Sequence, residues 1–191
     1  PAAYWGLDDH LGSLDVLVVA DLPGVGQNLR DHPQVPVTLR AKEEFLTDGT
    51  EPRLQVALTY TARGSDLRND MFILPVSFAT EEGIYVASDS KPLGFCIVAC
   101  IYLAAGAGEI KLTSPDPHVQ PGLDYNYLAE SVDRKRLREA VRIAVALTER
   151  GELKELIAER IGPMDADLAT DEALDRWMLG VVSTSHHISS T

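Results

Sequence analysis

The chain has 191 residues, 45% hydrophobic and 6% aromatic, enough to bury the core of one domain or of one domain plus part of another. Its formal net charge is −12, with acids spread from Asp8 to Asp175, which repels polyanions at long range and argues against nucleic acid as a partner. No apolar run approaches the roughly 20 residues of a membrane-spanning helix, and Pro1-Ala-Ala-Tyr-Trp5 lacks a basic stretch leading into an apolar one, so neither a membrane nor a secretory route is expected.

Taken in order, Leu14-Asp-Val-Leu-Val-Val19 reads as a first strand ending in the turn Leu22-Pro-Gly-Val-Gly26. Further extended segments are expected at 34–40, 54–61, 71–78, 93–103 and 109–113. The alternation Val35, Val37, Leu39 implies one buried face, as in an antiparallel sheet. The stretch Ala79–Pro92 reads as a long surface loop. Cys96 and Cys100 fall on one face of an apolar run. Their Cα atoms would lie about 13 Å apart in a strand, too far for a disulfide. Two buried free thiols favour a reducing, cytoplasmic setting.

After Tyr127 the period changes. Leu137, Ala140, Val141, Ala144 and Leu147 recur at helical spacing behind an acidic start at Ser131 and Asp133. A second short helix is expected over Glu152–Ile161, stopped by Gly162-Pro163. A third is capped by Thr170, with Leu174, Trp177 and Met178 on its apolar side, and runs out near Gly180. Strands first and helices later predict an α+β fold, a mainly antiparallel sheet of about six strands covered by helices on one face.

Gly24-Val-Gly26 after a strand invites a dinucleotide-binding reading, but Leu29 stands at the third glycine position and no helix with a ribose-binding acid comes after it. As bare physics the segment is a glycine turn into the next strand. His10, His32 and His118 lack metal-ligand spacing, and no metal site is expected. The serines near the end contain no Gly-x-Ser-x-Gly elbow. The basic run Asp133-Arg-Lys-Arg-Leu-Arg138 reads as a solvated helix face.

The full wording of Asp21-Leu-Pro-Gly-Val-Gly-Gln-Asn-Leu-Arg-Asp-His32 resembles a stretch of the glucose-methanol-choline (GMC) oxidoreductases. The resemblance continues through Asn69-Asp-Met71, Glu109-Ile-Lys-Leu-Thr-Ser-Pro-Asp-Pro117 and Asp124-Tyr-Asn-Tyr-Leu128, and into a helix starting near Asp133. Pro1-Ala-Ala resembles the residues directly after the family's Gly-Ile-Gly-Pro signature. His187-Ile-Ser-Ser-Thr191 resembles its His-x-x-Gly-Thr motif, with Ser190 at the glycine position. Ala104-Ala-Gly-Ala-Gly-Glu109 departs from the family's usual Pro-x-Ser-x-Gly turn.

The resemblance implies an FAD-dependent oxidoreductase acting on the CH–OH group of a small-molecule alcohol, with hydride passing to the flavin. His187 would be the catalytic base or orienting donor, as an alcohol needs help to lose its proton and imidazole titrates near working pH. His186 would lie beside the cofactor. Residues 1–33 would belong to the FAD-domain side, 34–182 to a substrate-binding domain, and 183–191 to the start of the catalytic histidine motif. The family's Gly-x-Gly-x-x-Gly element and its second active-site histidine or asparagine have no counterpart here, so the chain is expected to be an incomplete piece. Its partner would be the FAD-binding remainder of the same polypeptide, and alone it would neither retain FAD nor turn over. Two other readings stay open: a hydroxynitrile-lyase-like member of the same family, and a stand-alone α+β ligand-binding module without catalysis.

Overall fold

The computed structural model describes residues 3–6, 8–48, 50–80 and 92–191. The chain starts with a short parallel pair, β1 (Ala3–Gly6) and β2 (Leu17–Asp21), connected through helix α1 (Asp8–Ser13). The predicted first strand therefore begins three residues late, as Leu14 and Asp15 form the turn that closes α1.

The main sheet contains β4 (Gln34–Ala41), β5 (Leu58–Tyr60), β6 (Met71–Ala79), β7 (Gly94–Ile101) and β10 (Ile157–Gly162), in the order β10-β4-β7-β6-β5. Every pairing in it is antiparallel. The expected mainly antiparallel sheet is present, with five strands in this layer. A smaller three-stranded sheet joins β3 (Gln27–Leu29), β8 (Gly108–Lys111) and β9 (Gly122–Asp124).

Alternation decides which face is covered. Val35, Val37 and Leu39 of β4, Met71 and Ile73 of β6, and Ile97, Ala99 and Ile101 of β7 point to one side and form the principal core. Against them pack α2 (Ser131–Thr148) and α5 (Asp171–Val181). α2 contributes Leu137, Ala140, Val141 and Ala144 of the predicted stripe, while its fifth member, Leu147, lies exposed in the last turn, and α5 contributes Leu174 and Met178. Thr170 caps α5 as expected, its hydroxyl oxygen accepting the Ala173 N–H at 3.1 Å.

Two expectations need correction. The segment 152–161 is not one helix: α3 (Gly151–Leu156) stops and the chain becomes β10, with α4 (Asp165–Leu168) after it. The free main-chain edge of β4 explains this, since pairing Ile157 with Ala41 and Arg160 with Leu39 covers that edge and overrides the local helix preference. Asp133 is not an ordinary first-turn acid either. It is 1% exposed, and its carboxylate is taken by Arg136 and by the main-chain N–H groups of Ala105 and Gly106. The expected loop over 79–92 lies almost wholly outside the described residues.

The second face of the sheet carries Val76, Cys96, Val98 and Cys100. Both cysteines are free and buried, and burial pushes each thiol up to about 12, so they remain protonated packing groups. It is on this face, at the Gln34 end of β4, that the chain's last segment returns.

Candidate functional site

Beyond α5 the chain runs back antiparallel to residues 30–34. Two main-chain clamps hold it: Gln34 exchanges hydrogen bonds with Ser183 at 3.1 and 3.0 Å, and Arg30 exchanges them with Ser189 at 3.0 and 2.9 Å. Between the clamps one side has residues 31–33 and the other residues 184–188. The surplus cannot lie flat in the ladder, so the longer side arches outward, in the manner of a wide bulge. His186, at φ 62°, makes the left-handed bend of the arch, and His187 comes directly after it.

The concave side of the arch is filled by one carboxylate. Asp31, 7% exposed, accepts the backbone N–H of His32 at 2.7 Å and of His187 at 3.1 Å on Oδ1. On Oδ2 it accepts the hydroxyls of Tyr127 and Thr184, each at 2.5 Å. Thr184 Oγ1 in turn accepts the His186 N–H at 2.9 Å. Burial alone would raise the Asp31 carboxyl, but the hydrogen bonds from Thr184, Tyr127, His32 and His187 outweigh it and hold the group below the usual carboxylate range. Asp31 is therefore an anion neutralised by dipoles, with no cation among its hydrogen-bond donors in the described residues. The neighbouring Arg30 guanidinium points away, donating to the carbonyls of Ala104, Ala105 and Gly106.

Three motifs that are far apart in sequence thus meet at one group: Asp31-His32, the Asp124-Tyr-Asn-Tyr-Leu128 segment through Tyr127, and the closing histidine segment. Above Asp31 the His187 ring stands edge-on to His32, centroids 5.2 Å apart at 84°. His32 is also tilted against Tyr102 at 4.9 Å, and Tyr102 stacks on Phe72. Burial, and next the His187 imidazole, keep His32 below the ordinary histidine range, against smaller opposing effects of the Tyr102 carbonyl and Asp31. Its Nδ1 is buried with no hydrogen-bond partner among the described residues. His187 itself is exposed at the mouth of a cleft of about 410 Å3, whose walls include Arg30, His32, Tyr102, Ala105 and Ser190.

The loop that departs from the family's usual turn, 104–106, forms one wall. Its N–H groups at Ala105 and Gly106 donate to the Asp133 carboxylate at 3.0 and 2.8 Å, while its carbonyls take Arg30. Arg136 bonds Asp133 and also Asp70, the latter at 2.9 Å. Ser190, at the family's glycine position, has φ 71°, the left-handed region in which glycine is least strained. Gly26 is the glycine of the Gly24-Val-Gly26 turn with a physical requirement. It has φ 80°, and a Cβ there would meet the Ile110 carbonyl oxygen at 2.5 Å. The turn leads from β2 into β3, in line with the bare-physics reading of a glycine turn into the next strand, and the Gly26 carbonyl accepts the Ile110 N–H at 2.6 Å.

Of the residues singled out by sequence, His186 and His187 sit together on the arch. His32 joins them, although spacing had considered it only as a metal ligand. His10 and His118 line no wall of this cleft. Asp31, Thr184 and Tyr127 were missed as site residues: only their place in resembling motifs marked them, and nothing local reveals that they meet. A second cavity of about 380 Å3 lies at the Ala41 and Gly94 ends of β4 and β7, among Phe45, Val56, Phe95 and Leu153. Among the described residues its one charged lining group is Arg53, which lies over the Phe78 ring.

Comparison with known proteins agrees with this architecture. Residues 104–191 match the C-terminal family described as GMC oxidoreductase. The oxygen-dependent choline dehydrogenase of Burkholderia mallei is 28% identical over 96% of this chain. The GMC oxidoreductase family protein Mala s 12 of Malassezia sympodialis is also 28% identical, over 95% of the chain. The chain spans 36% of the length of each. Among solved structures, a formate oxidase superposes with a TM-score of 0.80 at 20% identity, covering 97% of this chain and 40% of the oxidase. A pyridoxine 4-oxidase from Mesorbium loti superposes with a TM-score of 0.74 at 19% identity, covering 96% of this chain and 36% of that enzyme. With its motifs meeting in one arch, the chain shares the fold of these enzymes and is similar in sequence to the GMC oxidoreductases, whose C-terminal family model matches its residues 104–191.

Proposed function

We propose that this chain supplies the substrate-side wall and the catalytic histidine of an FAD-dependent enzyme that oxidises a small alcohol. The observation that carries the reading is the arch: it fixes the main chain of His187 from below through Asp31 and leaves the imidazole at the mouth of an open cleft. A bound flavin would accept the hydride from the carbinol carbon. His187 takes the hydroxyl proton, which raises the tendency of the adjacent carbon to give up hydride. His32, held neutral by burial and by its neighbour, adds no competing positive charge beside that imidazole. Tyr102 and Phe72 extend an aromatic surface from His32, suited to an apolar substituent on the alcohol.

The residues present fit one side of a flavin ring, and only that. The cleft is open, His187 is part of its lining, and His186, the exposed residue before it on the arch, would be the one to meet the cofactor edge. Nothing among the described residues cradles a pyrophosphate, because the Gly26 turn is taken up by its approach to Ile110. Elements beyond this chain would therefore hold the phosphates, and the 191 residues alone would not retain FAD.

The test is flavin absorbance, with alcohol-dependent bleaching, on the protein expressed from the complete reading frame beside the 191-residue chain. The long protein is expected to be yellow and to bleach, and the short chain to be colourless. His187→Gln in the long protein should keep the flavin spectrum and slow bleaching by about 10²- to 10⁴-fold. Unchanged bleaching in that variant overturns the assignment of the base.

A further inference from the structure

Asp31 lines the floor side of the cleft through a carboxylate taken up by main-chain N–H groups and hydroxyls, and it is the group on which the site's three segments converge. A carboxylate offers two oxygens with about four lone-pair directions and no proton of its own. Four donors from three parts of the chain use them: the His32 and His187 main-chain N–H groups, Tyr127 OH and Thr184 Oγ1. The two end clamps at Gln34–Ser183 and Arg30–Ser189 do not involve the Asp31 side chain. They fix where the arch begins and ends, whereas the path of residues 184–188 between them is set by what fills the concave side. Thr184 extends that control by one more bond, since its oxygen accepts the His186 N–H.

We propose that Asp31 is a positioning residue of this site: its carboxylate templates the 184–188 arch and so sets the edge-on placement of the His187 imidazole against His32 at the cleft. The proposal rests on the His187 reading above for its catalytic consequence, though not for its geometric one. The part that matters is acceptance at Oδ1 and a polar contact at Oδ2, and not the charge alone. An asparagine keeps an acceptor for the two main-chain N–H groups, and its amide can donate to the Tyr127 and Thr184 oxygens once those hydroxyls turn. An alanine keeps nothing.

The experiment compares Asp31→Ala, Asp31→Asn, Thr184→Val and His187→Gln in the protein from the complete reading frame. It reads flavin reduction over a substrate series and the imidazole Cε1–H resonances of histidine-selectively labelled protein. Asp31→Ala should lower kcat about 10- to 100-fold, the cost of a misplacement near 1 Å, while KM stays within about threefold. The His187 and His32 resonances, each shifted by the other ring, should move toward those of free histidine. Asp31→Asn should stay within about fivefold of the parent and keep both shifts. If Asp31→Ala does not fold, Thr184→Val carries the test, removing one link of the arch without leaving an empty space. It is expected to lower kcat several-fold with the same displaced resonances.

Unmoved resonances in the variant that carries the test, or an Asp31→Asn variant as impaired as Asp31→Ala, would overturn the positioning role. Should His187→Gln reduce its flavin normally while Asp31→Ala still displaces the resonances, the base assignment fails and the positioning stands. Should His187→Gln be inactive while Asp31→Ala keeps its rate and resonances, only the positioning fails.

Discussion

Two buried carboxylate networks lie within this fold, and they are satisfied in opposite ways. In the first, Arg136, 4% exposed, lies between Asp70 and Asp133, which are 0% and 1% exposed. In the second, Asp31 is surrounded by hydroxyl and amide dipoles, with no cation among its donors in the described residues. The ion triad binds α2 to the start of β6 and to the 104–106 loop, where rigidity is the requirement. A full positive charge beside Asp31 would lie next to His32 and His187 and oppose protonation of either imidazole. Neutral donors avoid that. Burial of charge serves the scaffold in one place and the path of a single main-chain segment in the other.

The largest expected effect breaks the first network. Arg136→Met retains most of the volume but leaves two buried carboxylates facing one another, and should cost about 3–5 kcal/mol in urea unfolding. Any loss of activity should track the loss of folded protein. Acid sharpens the comparison next. The Asp31 and Asp70 carboxyls both titrate below their ordinary value when folded. Their stabilisation is therefore complete above the unfolded pKa of about 4 and is lost as pH falls through the lower, folded value. Asp31→Asn should be less stable than the parent at pH 7 and should lose less on moving from pH 7 to pH 3, because one of those protons no longer has to be taken up. A parallel fall of the two proteins would mean that Asp31 titrates as it does unfolded. The smallest effect is expected at the arch's far end. Ser190 holds φ 71°, so Ser190→Gly should stabilise the closing segment by about 1 kcal/mol, measurable as slower amide exchange at Ser189, whose N–H bonds Arg30.

Local patterns determined a good part of this protein. The period-2 alternation of β4, the apolar run of β7 and the i, i+3, i+4, i+7 stripe of α2 each carry their burial in the order of their own residues, because side-chain direction follows backbone period. The Thr170 cap is equally local. His186 and His187 were marked by resemblance in a motif, and so was the segment containing Asp31 and His32. What only the tertiary structure decided depends on distant partners. Ile157–Gly162 reads as helix until the open edge of β4 claims it, and Asp133 reads as a helix start until Arg136 and the 104–106 amides take its carboxylate. The meeting of Asp31 with Tyr127 and Thr184, 96 and 153 residues further along, leaves no periodic trace. It arises from two clamps with unequal numbers of residues between them, a mismatch that exists only once the two stretches are paired.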